Sequence, residues 1–179
     1  MQRYIAFLRA INVGGHQVKM DRLRALFEEM GFENVATFIA SGNVIFDANG
    51  KPDALEKKIE AHLKEALGYE VATFLRTPKE LAALAALRPY DDEEAAHGLY
   101  VGFLKDPPSA EATEKLMSLR GETVDFAVLG REVWWLSRIS MADSRISNGT
   151  LEKALRMSAT FRNVTTVRKL AAKYPADGK

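Results

Sequence analysis

Apolar positions along the chain follow two rhythms, that of strands and that of helices, and their order predicts the fold class. Residues 3–10 are dense in Tyr, Ile, Phe and Leu, the pattern of a strand covered on both faces. After Asp21, the residues Leu23, Leu26, Phe27 and Met30 share one helical stripe, and Gly31 stands where such a helix stops. Two short runs, 34–40 and 43–48, flank Ser41-Gly42. Glycine suits the positive φ of a tight turn, so the pair reads as a hairpin. Leu55, Ile59, Leu63 and Ala66 make a second amphipathic helix, opened by Pro52 and Asp53 and closed by Gly68. With residues 69–76 as a fourth strand, the order is β-α-β-β-α-β, the split βαβ arrangement of ferredoxin-like folds.

The pattern then restarts. A helix beginning at Pro78 stops before Pro89, and residues 89–96, with four consecutive acids, read as a linker. Residues 98–105 read as a strand, Pro107-Pro108 as a break, and Ala112, Leu116 and Leu119 as a helical stripe ended by Gly121. Residues 124–129 and 132–137 flank Gly130-Arg131 as a second hairpin. The repeat is read as one of pattern, without residue identity between the halves. Helices over about 150–157 and 164–174 complete the chain. The expectation is an α+β protein of two ferredoxin-like (split βαβ) subdomains with antiparallel sheets, residues 1–89 and 90–179, the second carrying extra C-terminal helices.

Composition narrows the class. A chain of 179 residues, 47% of them hydrophobic, buries roughly 70% of its unfolded surface and needs no metal or disulfide to stay folded. Cysteine is absent, which removes disulfides, thiolate ligands and Cys nucleophiles and fits a reducing compartment. The longest apolar run, residues 81–87, is far short of the roughly 20 residues of a membrane span, so no membrane partner is expected. A strand entered by about Arg3 leaves no charged leader and apolar segment before it, and a cytoplasmic location is the expectation. Net charge is +1, too small for a field that gathers nucleic acid. Residues 145–179, however, carry eight basic side chains against two acidic ones. Such asymmetry marks either a polyanion-binding end or a basic segment packed beside acidic neighbours, and the second reading is favoured.

Three blocks could carry chemistry. Ile11-Asn12-Val13-Gly14-Gly15-His16 joins the first strand to the first helix, where adjacent glycines let backbone N–H groups approach an anion and a helix N-terminus favours negative charge. Arg9 and His16 add anion-binding groups. The spacing matches neither the dinucleotide fingerprint nor a P-loop, and the glycines also suit a plain turn tied down by Asn12. Ser41-Gly42-Asn43 is explained by turn geometry alone. In the run 160–169, Asn163 reads as a helix N-cap, while Arg162, Arg168 and Lys169, with Arg145 and Arg156, offer a clamp for phosphate or carboxylate or else a solvated basic face. His16, His62 and His97 lack metal-ligand spacing, so no metal and no cofactor are assigned. Serine lacks a nucleophile elbow, and no catalytic residue is assigned. Trp134-Trp135 alternate across a strand, placing one in the core and the other on a contact surface.

Taken together, residues 8–15 (LRAINVGG), 43–46 with Ser41-Gly42 before them, and 160–163 with Thr166-Val167 and Lys169-Leu170 resemble the bacterial family filed as domain of unknown function 1697, over essentially the whole chain. The resemblance implies two α+β subdomains of ferredoxin-like character and no established activity. Family members usually have Gly at the position of Ala10, and Trp is common at that of Val164. Ser144-Arg145-Ile146 looks like the family's Ser-basic-apolar triplet. Asn12, Gly14, Gly15, Ser41, Gly42, Asn43, Ser144, Arg145, Arg162, Asn163 and Thr166 match its polar and glycine positions. The functional expectation is a small anionic ligand, phosphate- or nucleotide-like, held between the subdomains in one concave site lined by Asn12, Gly14, Gly15, Ser41, Asn43, Arg145 and Arg162. Nucleic-acid binding through a ferredoxin-like sheet and the basic C-terminal segment, or a ligand-free protein-interaction module, are the alternatives.

Overall fold

The computed structural model describes residues 1–12, 14–39 and 42–177. Among them the chain runs β1 (Gln2–Leu8), α1 (Met20–Glu29), β2 (Glu33–Thr37), β3 (Asn43–Ala48), α2 (Pro52–Leu67), β4 (Thr73–Arg76) and α3 (Pro78–Ala86). A 3-10 turn at Glu93–Ala95 leads to β5 (Gly98–Phe103), α4 (Ala110–Met117), β6 (Val124–Leu129), β7 (Glu132–Ser137), α5 (Asn148–Leu155), β8 (Thr160–Asn163) and α6 (Val164–Lys173). Two antiparallel four-stranded sheets result, ordered β2-β3-β1-β4 and β6-β7-β5-β8. β1 and β3 are central in the first sheet, as the split βαβ order demands. The compact units are Met1–Ala83 with Leu170–Lys179, and Leu84–Lys169, so the boundaries fall inside α3 and α6.

The second sheet corrects the sequence reading. Residues 160–163, the start of the run 160–169 that reads as a basic segment leading into a helix, form β8, an edge strand paired with β5. Four residues carry too little alternation to announce a strand, and the partner that makes them one lies far back in the chain. The chain therefore runs twice through the order β-α-β-β-α-β followed by a helix, from β1 to α3 and from β5 to α6.

The matching registers also reveal an identity between the halves. Arg76 opposes Ile5 as Arg162 opposes Val101, and Phe46 opposes Tyr4 as Trp135 opposes Tyr100. This aligns residues 4–8 (YIAFL) with 100–104 (YVGFL), and the same displacement along the chain aligns Leu55-Glu56-Lys57 with Leu151-Glu152-Lys153. Volume is exchanged between equivalent cross-strand pairs. Ala6 faces Leu75 in the first unit, whereas Gly102 faces Phe161 in the second, and a Cβ on Gly102 would collide with the Phe161 ring.

Alternation in the strands fills each core. In unit 1, Tyr4, Ala6, Leu8, Val44 and Phe46 meet Leu23, Leu26 and Phe27 of α1 and Leu55, Ile59 and Leu63 of α2. Each such Leu or Phe stabilises by about 1.5–3 kcal/mol on burial. Phe46 stacks on Phe32 at 4.5 Å and meets Phe27 edge-on at 5.5 Å. In unit 2, Trp135 takes the place of Phe46 among Tyr100, Leu116, Val133, Leu151, Leu155 and Phe161. Trp134 is buried as fully as Trp135, so neither indole is a solvent-facing contact surface.

The outer edge of β4 is closed by side chains. Outward N–H groups of Thr73 and Leu75 donate to Glu60 and Glu56, each at 3.0 Å, and the Arg76 guanidinium donates to Leu75 O at 2.9 Å. The fit is metric: residues i and i+4 of a helix rise about 6 Å, close to the roughly 6.6 Å between alternate strand residues. An edge so occupied cannot template another strand.

Candidate functional site

Antiparallel pairing sets the C-terminal end of β1 beside the N-terminal ends of β3 and β4, so three connections of unit 1 gather there: 9–19, 38–42 and 68–72. Their backbones tie them together. Leu8 N–H donates to Gly42 O (2.9 Å) and Arg9 N–H to Ala72 O (2.9 Å), and the Tyr69 hydroxyl donates to Ile11 O (2.9 Å). Gly42 has φ +85°, and a Cβ there would lie 3.0 Å from both Leu8 Cβ and Ile11 Cγ2. Glycine is required at this position by conformation and by close approach together.

Several of the expected site residues lie on these connections. Asn12 Oδ1 accepts from Val18 N–H at 2.7 Å, fastening the loop, while its Nδ2 has no partner among the described residues. Asn43, almost fully buried, donates from Nδ2 to Phe38 O (3.0 Å) and Ile39 O (3.2 Å), and so holds the hairpin turn. That clasp supports a β-branched residue in the left-handed region, Ile39 at φ 48°. Ser41 lies outside the described residues. Gly14 and Gly15 are exposed at φ +65° and +85°, with open space around each. The backbone N–H groups of residues 14–17 have no hydrogen-bond partner among the described residues. Helix α1 then starts from Lys19 without a side-chain cap, and the exposed Lys19 ammonium has no partner among the described residues. The segment is thus rich in donors and carries a positive charge, an arrangement suited to an anion.

Two members of this end carry no joint signal in the sequence. The exposed His16 ring stacks on Tyr69 with centroids 3.8 Å apart and planes 18° from parallel. Burial of the Tyr69 ring raises its hydroxyl pKa, keeping it a donor. Only Gly68 in a left-handed C-cap foreshadows where Tyr69 is aimed.

Arg145 and Arg162 belong to unit 2. Arg162 is half-buried on β8, donating to Thr160 Oγ1 (2.7 Å) and Phe161 O (3.0 Å), and desolvation lowers its pKa to about 10, still a cation at neutral pH. Arg145 is exposed and has no polar partner among the described residues. Asn163 Oδ1 accepts Thr165 N–H at 2.9 Å, the expected cap of α6. The basic terminal segment is partly neutralised within its own unit: Arg168 pairs with Glu93, Arg156 with Glu111 (3.3 Å), and Arg138 just upstream with Asp92 (2.9 Å). The acidic run is therefore an ion-pair partner and not only a solvated linker. A hollow of about 320 Å³ in unit 1, beside Lys57, Lys64 and Glu70, has internally matched charges, with Lys64 and Glu70 paired at 3.2 Å.

The family described as "Protein of unknown function (DUF1697)" matches residues 1–134. The chain belongs to this family. The fold is shared with the solved structure of the conserved bacterial protein SP0830 from Streptococcus pneumoniae, at a TM-score of 0.75 and 20% identity over 96% of this chain and 97% of that one. No curated protein matches the chain. Ala10 stands at φ 54°, a left-handed conformation that glycine adopts without strain.

Proposed function

We propose that this DUF1697 protein binds a small anionic ligand, phosphate- or nucleotide-like, on the 9–19 loop and the N-terminus of α1. One observation carries the reading: the backbone N–H groups of four consecutive exposed residues, 14–17, are unpaired among the described residues, followed by an uncapped helix start and flanked by Asn12 Nδ2 and Lys19. In the equivalent place of unit 2 the helix start is closed by Ser109, whose side chain accepts Ala112 N–H at 3.1 Å. Framework residues are shared by the two units, but the run of four unpaired N–H groups ahead of the helix occurs in unit 1, where the unit 2 loop has Pro107 and Pro108.

The same reading takes each unit as ferredoxin-like, on the support of its strand order, with the chain divided near residues 89 and 90, and takes the cysteine-free protein as cytoplasmic. Nucleic-acid binding stands second, since Arg156 and Arg168 are already engaged by acids. A thermal-shift titration tests the proposal. Phosphate or pyrophosphate at about 100 times its dissociation constant should stabilise the folded protein by about 2.7 kcal/mol, and Gly14→Val should lose that shift while remaining folded. Arg145→Ala and Arg162→Ala ask in the same titration whether the second unit contributes charge. If no anion shifts the parent, the protein-interaction reading replaces this one.

A further inference from the structure

Resting on that reading, we infer that the anion carries a planar aromatic body, as a mononucleotide does, and that the body stacks on the outer face of His16. The His16 ring is exposed but not free to turn. Its inner face lies parallel to Tyr69 at 3.8 Å, and Tyr69 is fixed in turn by its hydroxyl bond to Ile11 O and by packing of its ring against the unit 1 core. An aromatic ring held open to solvent by a second ring is a prepared platform, because the cost of ordering it is already met by folding. It adjoins the unpaired N–H groups of Gly14 and Gly15 directly in sequence. Two residues span at most about 7 Å, so donors for a phosphate and a surface for a base lie within the reach of one nucleotide. In unit 2 the corresponding connection, 104–109, contains Pro107-Pro108 and no aromatic residue. Platform and donors therefore occur together in unit 1.

Calorimetric titration of the full chain with three probes tests this: inorganic phosphate, ribose 5-phosphate and adenosine monophosphate. Base–aromatic stacking predicts that adenosine monophosphate binds about tenfold or more tightly than ribose 5-phosphate, which should resemble phosphate. His16→Ala should erase that preference, bringing adenosine monophosphate down to the affinity of ribose 5-phosphate, and Tyr69→Leu, which removes the supporting ring, should weaken it similarly. Equal affinity of the parent for ribose 5-phosphate and adenosine monophosphate would overturn the stacking inference while leaving the anion site intact. A preference that survives in His16→Ala overturns it as well. Binding of none of the three removes the anion reading and the stacking inference together.

Discussion

The same end of the two units differs in what the chain has done with it. In unit 2 the β5–α4 connection takes six residues, 104–109, and a two-residue turn joins β6 to β7; in unit 1 the corresponding connections are 9–19 and 38–42. One anchoring bond is common to both. Leu8 N–H reaches Gly42 O at 2.9 Å, and its equivalent Leu104 N–H reaches Arg131 O at 3.0 Å. Beyond that anchor, unit 2 caps its helix and has two prolines in the loop, whereas unit 1 places left-handed Ala10, Gly14 and Gly15 in its longer β1–α1 loop and left-handed Ile39 in the neighbouring hairpin connection. A scaffold used twice makes its own control: what both copies keep is framework, and what one copy elaborates is the candidate for function.

If the framework is shared, its equivalent positions must cost alike when broken. Phe46→Ala and Trp135→Ala each remove a fully buried ring from the helix-facing core and should destabilise by about 3–5 kcal/mol in denaturant melts. A loss of under about 1 kcal/mol at either site breaks the equivalence. The edge lock is the next test. Glu56→Ala strips the acceptor from Leu75 N–H and should cost about 1–3 kcal/mol, and the repeat predicts a loss of similar size for Glu152→Ala.

Smaller effects sharpen the contrast. Arg3 and Asp47 form a two-bond ion pair across β1 and β3, with Asn34 also donating to Asp47, whereas the equivalent pair in unit 2 is Leu99 and Leu136. Hydrogen bonding from Arg3, more than Asn34, holds the Asp47 carboxyl below the ordinary carboxylate range. A lowered folded-state pKa means that its stabilisation is present above the unfolded value of about 4 and lost as pH falls through the folded one. Asp47→Asn should cost about 0.5–1 kcal/mol at pH 7, the pair being partly exposed, and the gap from the parent should close on acidification below pH 4. A gap that widens in acid contradicts this assignment. Ala10→Gly should act in the opposite direction, a gain of about 0.5–1 kcal/mol, because relief of left-handed strain exceeds the added unfolded-state entropy.

Elements with a strong period are legible in the sequence itself. The stripes of α1 and α2 and the Ser41-Gly42 turn predict the β1–β4 order of unit 1, and Asn163 is readable as a cap because N-capping is local. What escapes depends on distance. β8 is a strand only because β5 lies beside it, and Glu56 acts on a strand that follows the end of its own helix. The repeat is hard to see because identity survives in two short blocks, although their common displacement is present in the letters. Of the candidate site, the left-handed Gly14 and Gly15 follow from the turn itself, while the His16–Tyr69 stack joins a loop to the far end of α2 and has no sequence signature.

The central claim, that the longer β1–α1 loop of unit 1 binds an anion and the shorter β5–α4 loop of unit 2 does not, is tested most directly by amide chemical shifts during titration with inorganic phosphate. The account predicts saturable shifts confined to the amides of residues 14–17 and the first turn of α1, with the amides of 104–106, 109 and the first turn of α4 unmoved. Saturable shifts at Ser109 to Ala112 with none at Gly14 and Gly15, or no saturable shift at either loop, would contradict it.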